Sequence, residues 1–270
     1  MRIPWAIGLF GLCCSTLAQP VVQVDTIRAV QPWPPHEEYT FPRLVSAERS
    51  VQTASIDRDL ALRLLDVDLD SVAHGHLFDQ VWGDTITGWL PRLNYLSWQV
   101  RRPLPEVVEV EFSAEACGVY CEGFTDYLLY DLRDGAYIGD DSLFTAAGRA
   151  MLADTLKAVW FQRVSDHLVQ LMVWSAALPD KAVEDTAAVG EERQMMESQI
   201  ELYQRCLDER ADRGPYILGM TIEPGLLRFH VARCSNHVEQ ALDELDPMSI
   251  ALPINTVFPL IRPDRKSLFR

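Results

Sequence analysis

The chain has 270 residues, is 48% hydrophobic and 23% charged, and carries 39 acidic against 24 basic side chains, a formal net charge of −15. A surface this acidic repels nucleic acid and anionic lipid headgroups, so no nucleic-acid partner is expected, and it attracts basic partners. No phosphate-cradling glycine loop, dinucleotide fingerprint or basic aromatic-laced patch occurs, so no cofactor is expected.

Arg2 is followed by an apolar stretch from Ile3 to Cys14 and then by Ser15, Thr16 and Ala18, the three-part pattern of a secretory signal peptide cleaved after Ala18. The stretch falls short of the roughly 20 residues that a permanent helical anchor needs, and no later segment is apolar over that length. Gly11 and Leu12 before Cys13 do not fit a lipoprotein site. Residues 1–18 are thus expected to be a leader, and 19–270 a single exported domain, periplasmic or secreted, with no integral membrane segment and an irregular arm over 19–50. Loss of Arg2 takes the mature charge to −16.

Gln31 to Pro35 is an extended connector, because its prolines lack the donor N–H that a helix or central strand requires. From Ser55 to Asp66 the residues Ile56, Leu60 and Leu64 recur every four positions, the period of an amphipathic helix. Leu96, Trp98 and Val100, and then Val108, Val110 and Phe112, alternate with polar neighbours, which predicts two half-buried strands. A second helix is expected over Thr145 to Trp160, where Gly148, Met151, Leu152, Leu156 and Val159 share a face. Leu168 to Trp174 is a further strand candidate. A third helix is expected over Glu184 to Ala211, with Met196, Ile200, Tyr203 and Leu207 as its apolar stripe. Glu223-Pro224-Gly225-Leu226 places Pro and Gly at the centre of a type II turn and joins Tyr216–Ile222 to Leu227–Val231 as a hairpin. Strands interrupted by helices without regular alternation predict an α+β fold, with an antiparallel or mixed sheet and helices mainly on one face.

Outside the leader stand Cys117, Cys121, Cys206 and Cys234, an even number suited to an oxidising compartment. Four cysteines allow three pairings, and proximity in sequence favours Cys117 with Cys121 and Cys206 with Cys234. Zinc needs a second close-spaced ligand pair, which is missing, and the three-residue Cys spacing between strands does not suit a redox motif.

Leu96 to Phe144 has an unusual order: a strand, an acidic strand, a glycine-containing tip, a Tyr-rich strand, the turn Asp131-Leu132-Arg133-Asp134-Gly135, then Ser142-Leu143-Phe144 leading into a helix. This order resembles the extracytoplasmic domain family found in a lysozyme-responsive anti-sigma factor and fused to some bacterial polysaccharide deacetylases. Tyr39–Leu44 with the following helix is similar to the family's opening segment, and Gly225–Phe229 with the strand Ser249–Ile254 to its closing one. The resemblance runs from about Val22 to Phe258 and implies a sensor or binding domain. The tip departs from the family, with Cys117-Gly118-Val119-Tyr120-Cys121-Glu122-Gly123 where relatives carry a Gly-Ala-His-like turn.

A bridge across so small a loop fixes its apex, which singles out Val119, Tyr120 and Glu122 as candidate binding residues. His74 and His76, near Asp70 and Asp79, are the histidines closest to a metal pattern, but one glycine between two imidazoles in a loop describes a solvated segment, and no metal is expected. Asp140–Asp141 and Glu191–Glu192 are adjacent carboxylates without the opposed placement that glycosidases need. His230 lies on the polar side of its strand, unaccompanied by a nucleophile motif. No catalytic residue is assigned. The expected function is recognition of a cell-envelope component, such as a peptidoglycan fragment, or of a basic protein such as a lysozyme. The rivals are an envelope-glycan hydrolase, which needs a cleft with opposed carboxylates, and a self-assembling structural protein, which needs a large exposed apolar patch.

Overall fold

A computed structural model describes residues 22–31, 36–72, 76–79, 81, 93–117, 121–178 and 187–269. The expected leader and residues 32–35 of the proline connector lie outside them.

The segment expected to be an irregular arm begins with an antiparallel hairpin, β1 (Gln23–Val30) and β2 (Glu38–Val45). Alternation explains it: along β2, Tyr39 and Phe41 are buried, whereas β1 is mostly exposed and gives too weak a pattern to be read. Helix α1 (Ser50–Leu65) follows, one turn longer at its start than the spacing predicted. It ends where Asp66 takes a left-handed conformation (φ 56°) and its N–H closes the last turn on Leu62.

Strands β3 (Leu93–Leu104), β4 (Val107–Cys117) and β5 (Cys121–Asp131) form an antiparallel meander, extended by the short β6 (Ala136–Tyr137). After a single turn, α2 (Asp140–Leu143), comes α3 (Ala146–Ala177), capped by Thr145, whose hydroxyl accepts the Gly148 N–H at 2.9 Å. The strand expected over Leu168–Trp174 is part of this helix. Leu168 and Leu171 continue the helical stripe of Leu152, Leu156, Trp160 and Val164, with no Gly or Pro to stop the helix. Met151, expected on that stripe, is exposed. Helix α4 (Ala187–Arg210) packs beside α3, and Ile200, Tyr203 and Leu207 face the core as the spacing predicts.

The chain closes with β7 (Ile217–Glu223), β8 (Leu226–Val231), β9 (Met248–Pro253) and the turn α5 (Ile254–Val257). Gly225 takes the positive φ (76°) that the turn between β7 and β8 requires. The main sheet runs β3-β4-β5-β7-β8-β9 and is mixed, since β5 and β7 are parallel and the other neighbours antiparallel. The fold is therefore α+β.

Side chains alternate across β4 and β5 and divide the interior in two. Val107 and Leu129 join the core beneath α3 and α4, while Val108, Val110, Phe112 and Tyr130 join one built with α1 and the first hairpin. Trp98 Nε1–H and Tyr39 O–H, donating to the Thr40 and Leu93 carbonyls at 3.0 Å each, fasten that hairpin to β3.

The turn that carries the family resemblance is rigid for two reasons. Asp131, fully buried, accepts the Arg133 N–H at 2.9 Å and is clasped by the guanidiniums of Arg133 and Arg265, which bind the turn to the chain's end. Gly135 has φ 72°, and a Cβ there would lie 2.8 Å from the Gln52 carbonyl oxygen, so only glycine lets the turn rest on α1.

Candidate functional site

The site originates where the two halves of the sheet meet. β5 and β7 share a single register pair, Tyr127 with Gly219. A Cβ on Gly219 would lie 2.3 Å from the Tyr127 carbonyl oxygen, so the strands touch only because residue 219 lacks a side chain. Away from this contact they diverge, and each divergence is handled differently.

On one side Glu109 fills the gap. Sequence alternation puts it on the polar face of β4, yet it is 1% exposed, because that face, with Val107 and Leu129, is interior and Glu109 reaches β7. Its Oε2 accepts the Ile222 N–H of β7 at 2.9 Å, and Arg101 pairs with Oε1 at 2.5 Å. Burial raises the Glu109 pKa, with the Ile222 N–H and Arg101 opposing.

On the other side the gap is open. A cleft of about 670 Å³ lies between the outer ends of β4 and β5 and the β8–β9 edge with the loop before β9. Tyr127 and His230 stack at its base with ring centroids 3.4 Å apart, and His230 Nε2 lies 2.9 Å from the Thr221 hydroxyl. Burial, and then the positive charges of Arg228 and Arg101, push the His230 pKa down to about 4, so the imidazole is neutral near pH 7. Tyr95 and Phe124 supply exposed aromatic walls.

Four carboxylates, Glu115, Glu122, Asp126 and Asp246, line this cleft against one guanidinium, Arg233. Burial raises the pKa of Asp126, and burial followed by the charge of Asp243 raises that of Asp246. Arg233 pairs with Glu122 and thereby joins the end of β5 to the end of β8. Such a surface is suited to holding a cationic group between aromatic rings and carboxylates.

The structure joins Cys117 to Cys121, register partners with Cα atoms 3.9 Å apart, and Cys206 to Cys234, with Cα atoms 5.4 Å apart. Of the three candidate binding residues at the tip, Glu122 lines the cleft and is engaged by Arg233, while Val119 and Tyr120 lie outside the described residues. His74 also lies outside them. His76 is exposed and bonded to Asp79 at 2.8 Å, and Asp70 is paired with Arg58 at 3.3 Å, so these groups do not converge. Asp140 and Asp141 open the α2 turn. Among the described residues, one set of three groups has ligand atoms close enough for a metal, Glu115 with Cys117 and Cys121, and the two sulfurs are bonded to each other.

Sequence reasoning placed His230 on the correct face but missed Asp126, Asp246 and the Tyr127 stack. Asp126 sits in an exposed-looking Tyr-rich strand and Asp246 in a loop, and their approach depends on the β5–β7 crossing, for which Gly219 is the one local signal. Among the described residues, no helix is long and apolar enough to cross a membrane.

No family model and no curated protein matches the sequence. Among solved structures, the chain is similar to the crystal structure of a DUF3298 family protein from Pseudomonas aeruginosa PAO1, with 11% identity and a TM-score of 0.49 over 91% of this chain and 96% of that one.

Proposed function

We propose that the chain is an exported recognition module whose cleft takes a cationic group of a basic protein, with a lysozyme as the type of partner implied by its resemblance to the sensor domains of anti-sigma factors. The observation that carries this reading is the cleft itself, with four carboxylates facing one guanidinium between Tyr95, Phe124 and the Tyr127–His230 stack. Two intramolecular disulfides support a site of action outside the reducing cytoplasm. The net charge extends the same sign of potential over the rest of the surface.

Titration calorimetry of residues 19–270 against a lysozyme and against soluble peptidoglycan fragments tests it. Saturable lysozyme binding is expected, and Asp126→Asn with Asp246→Asn should weaken it by at least about tenfold while circular dichroism stays unchanged. Absence of binding to both, or equal binding by the variant, overturns the assignment. Release of new reducing ends from peptidoglycan by the chain alone would replace it with the hydrolase reading.

A further inference from the structure

A second concavity lies on the α3 side of the sheet, bounded by Tyr137, the first half of α3 and residues 215–220, and it measures about 330 Å³. Its floor is apolar: Leu152, Leu156, Met220 and Phe229 are each no more than 5% exposed and belong to the core beneath α3. The rim carries Arg149 and Arg213. Neither guanidinium has a carboxylate within ion-pair distance among the described residues. That is unusual here, because most of the other arginines among the described residues are ion-paired, in a chain with 39 acidic side chains. The lining includes one carboxylate, Asp140, and its Oδ1 already accepts the Asp141 N–H at 2.8 Å. Tyr216 and Leu218, 69% and 39% exposed, continue the apolar surface to the mouth.

An apolar floor with a few charged groups at one edge is the composition of a small-molecule site, and its size is in the usual range. Two unpaired guanidiniums select an anion, and the planar fork of arginine matches the two oxygens of a carboxylate. The acidic remainder of the surface repels anions, so a ligand of that sign is held only where local cations outweigh the field. We infer that this concavity binds a small amphipathic carboxylate, its alkyl chain against Leu152, Leu156 and Phe229 and its headgroup between Arg149 and Arg213. The site adjoins the cleft proposed above for a cationic partner, sharing Leu218 with it, but has its own charged groups, and neither reading depends on the other.

Calorimetric titration with sodium dodecanoate below its micellar concentration tests the inference, with dodecyl maltoside, which has the same tail and no charge, as the comparison. Saturable one-to-one binding of dodecanoate is expected, with the maltoside weaker by at least about tenfold. Arg149→Gln with Arg213→Gln should weaken dodecanoate to a similar degree. Ala153→Trp, at an exposed α3 position lining the mouth, should block it by occupying the space, and it leaves the buried floor untouched. Failure to see saturable binding, equal affinity for the maltoside, or undiminished binding by both variants with an unchanged circular dichroism spectrum would overturn the assignment.

Discussion

Asp57 is a carboxylate buried on α1, 8% exposed, and its Oδ1 accepts the Leu44 N–H at 2.8 Å, fixing β2 to the helix. Burial pushes its pKa up to about 7, against the opposing effects of that N–H and of Arg43. The folded chain therefore keeps this proton between about pH 4 and 7 while the unfolded chain gives it up. The sign follows directly: Asp57 costs no stability below about pH 4, costs progressively more as the pH rises towards 7, and then a constant amount. The full loss is on the order of 4 kcal/mol. Asp57→Asn retains an oxygen for the Leu44 N–H but cannot ionise. Urea unfolding at several pH values should show a flatter decline for the variant between pH 4 and 7, and identical slopes would remove the carboxyl from the explanation. Nothing local in the sequence marks Asp57, because its position in the helical repeat is read correctly only when β2 is known to cover it. Glu109 was hidden for the same reason. A period of two assigns it to the polar face of β4, and only the β7 strand, more than a hundred residues later, makes that face an interior one.

Elements whose pattern is local were legible, and elements that depend on a partner were not. The turn at Gly225, the α1 repeat and the strands around Val108 are written in neighbouring residues and appear where their spacing places them. The second half of α3 was misread because Val169, Met172, Val173 and Trp174 are exposed, at 59%, 49%, 61% and 45%, so apolar residues occur all round the helix and blur its 3.6-residue period. The two disulfides illustrate how chain separation controls what an element contributes. Cys206–Cys234 closes 28 positions and joins the end of α4 to the exit of β8, where Asp243 also accepts the Cys234 and Ser235 N–H groups and the Tyr203 hydroxyl. Cys117–Cys121 closes four positions within one hairpin. By loop-closure entropy the first contributes about 3–4 kcal/mol and the second about 2 kcal/mol. Replacing Cys206 and Cys234 together by Ser should thus lower the urea midpoint more than replacing Cys117 and Cys121. An equal or reversed order would mean that the unfolded chain is not the state these bridges act on.

Across the whole molecule, the cleft is a consequence of how far apart in sequence its walls are. Glu115, Glu122 and Asp126 come from β4 and β5, His230 and Arg233 from β8 and its exit, and Asp246 from the loop before β9. They meet because Gly219 permits one close crossing and Glu109 closes the sheet on the far side of it. The long-range field has the same sign as the cleft, so on the proposed reading a cationic partner is steered before it docks, and its association should depend on ionic strength. Screening shortens the reach of these charges from about 30 Å at 0.01 M salt to about 8 Å at 0.15 M. Stopped-flow association with a lysozyme should accordingly slow by at least about tenfold over that range, with the dissociation rate changing far less. Acid should act on the other rate. A bound cation favours the ionised forms of Asp126 and Asp246, whose carboxyls are held above the usual range, so lowering the pH protonates them and should accelerate dissociation. If association is indifferent to salt while Asp126→Asn still weakens the complex, the cleft recognises its partner by contact alone and the surface charge serves solubility. If both are indifferent, the partner binds elsewhere.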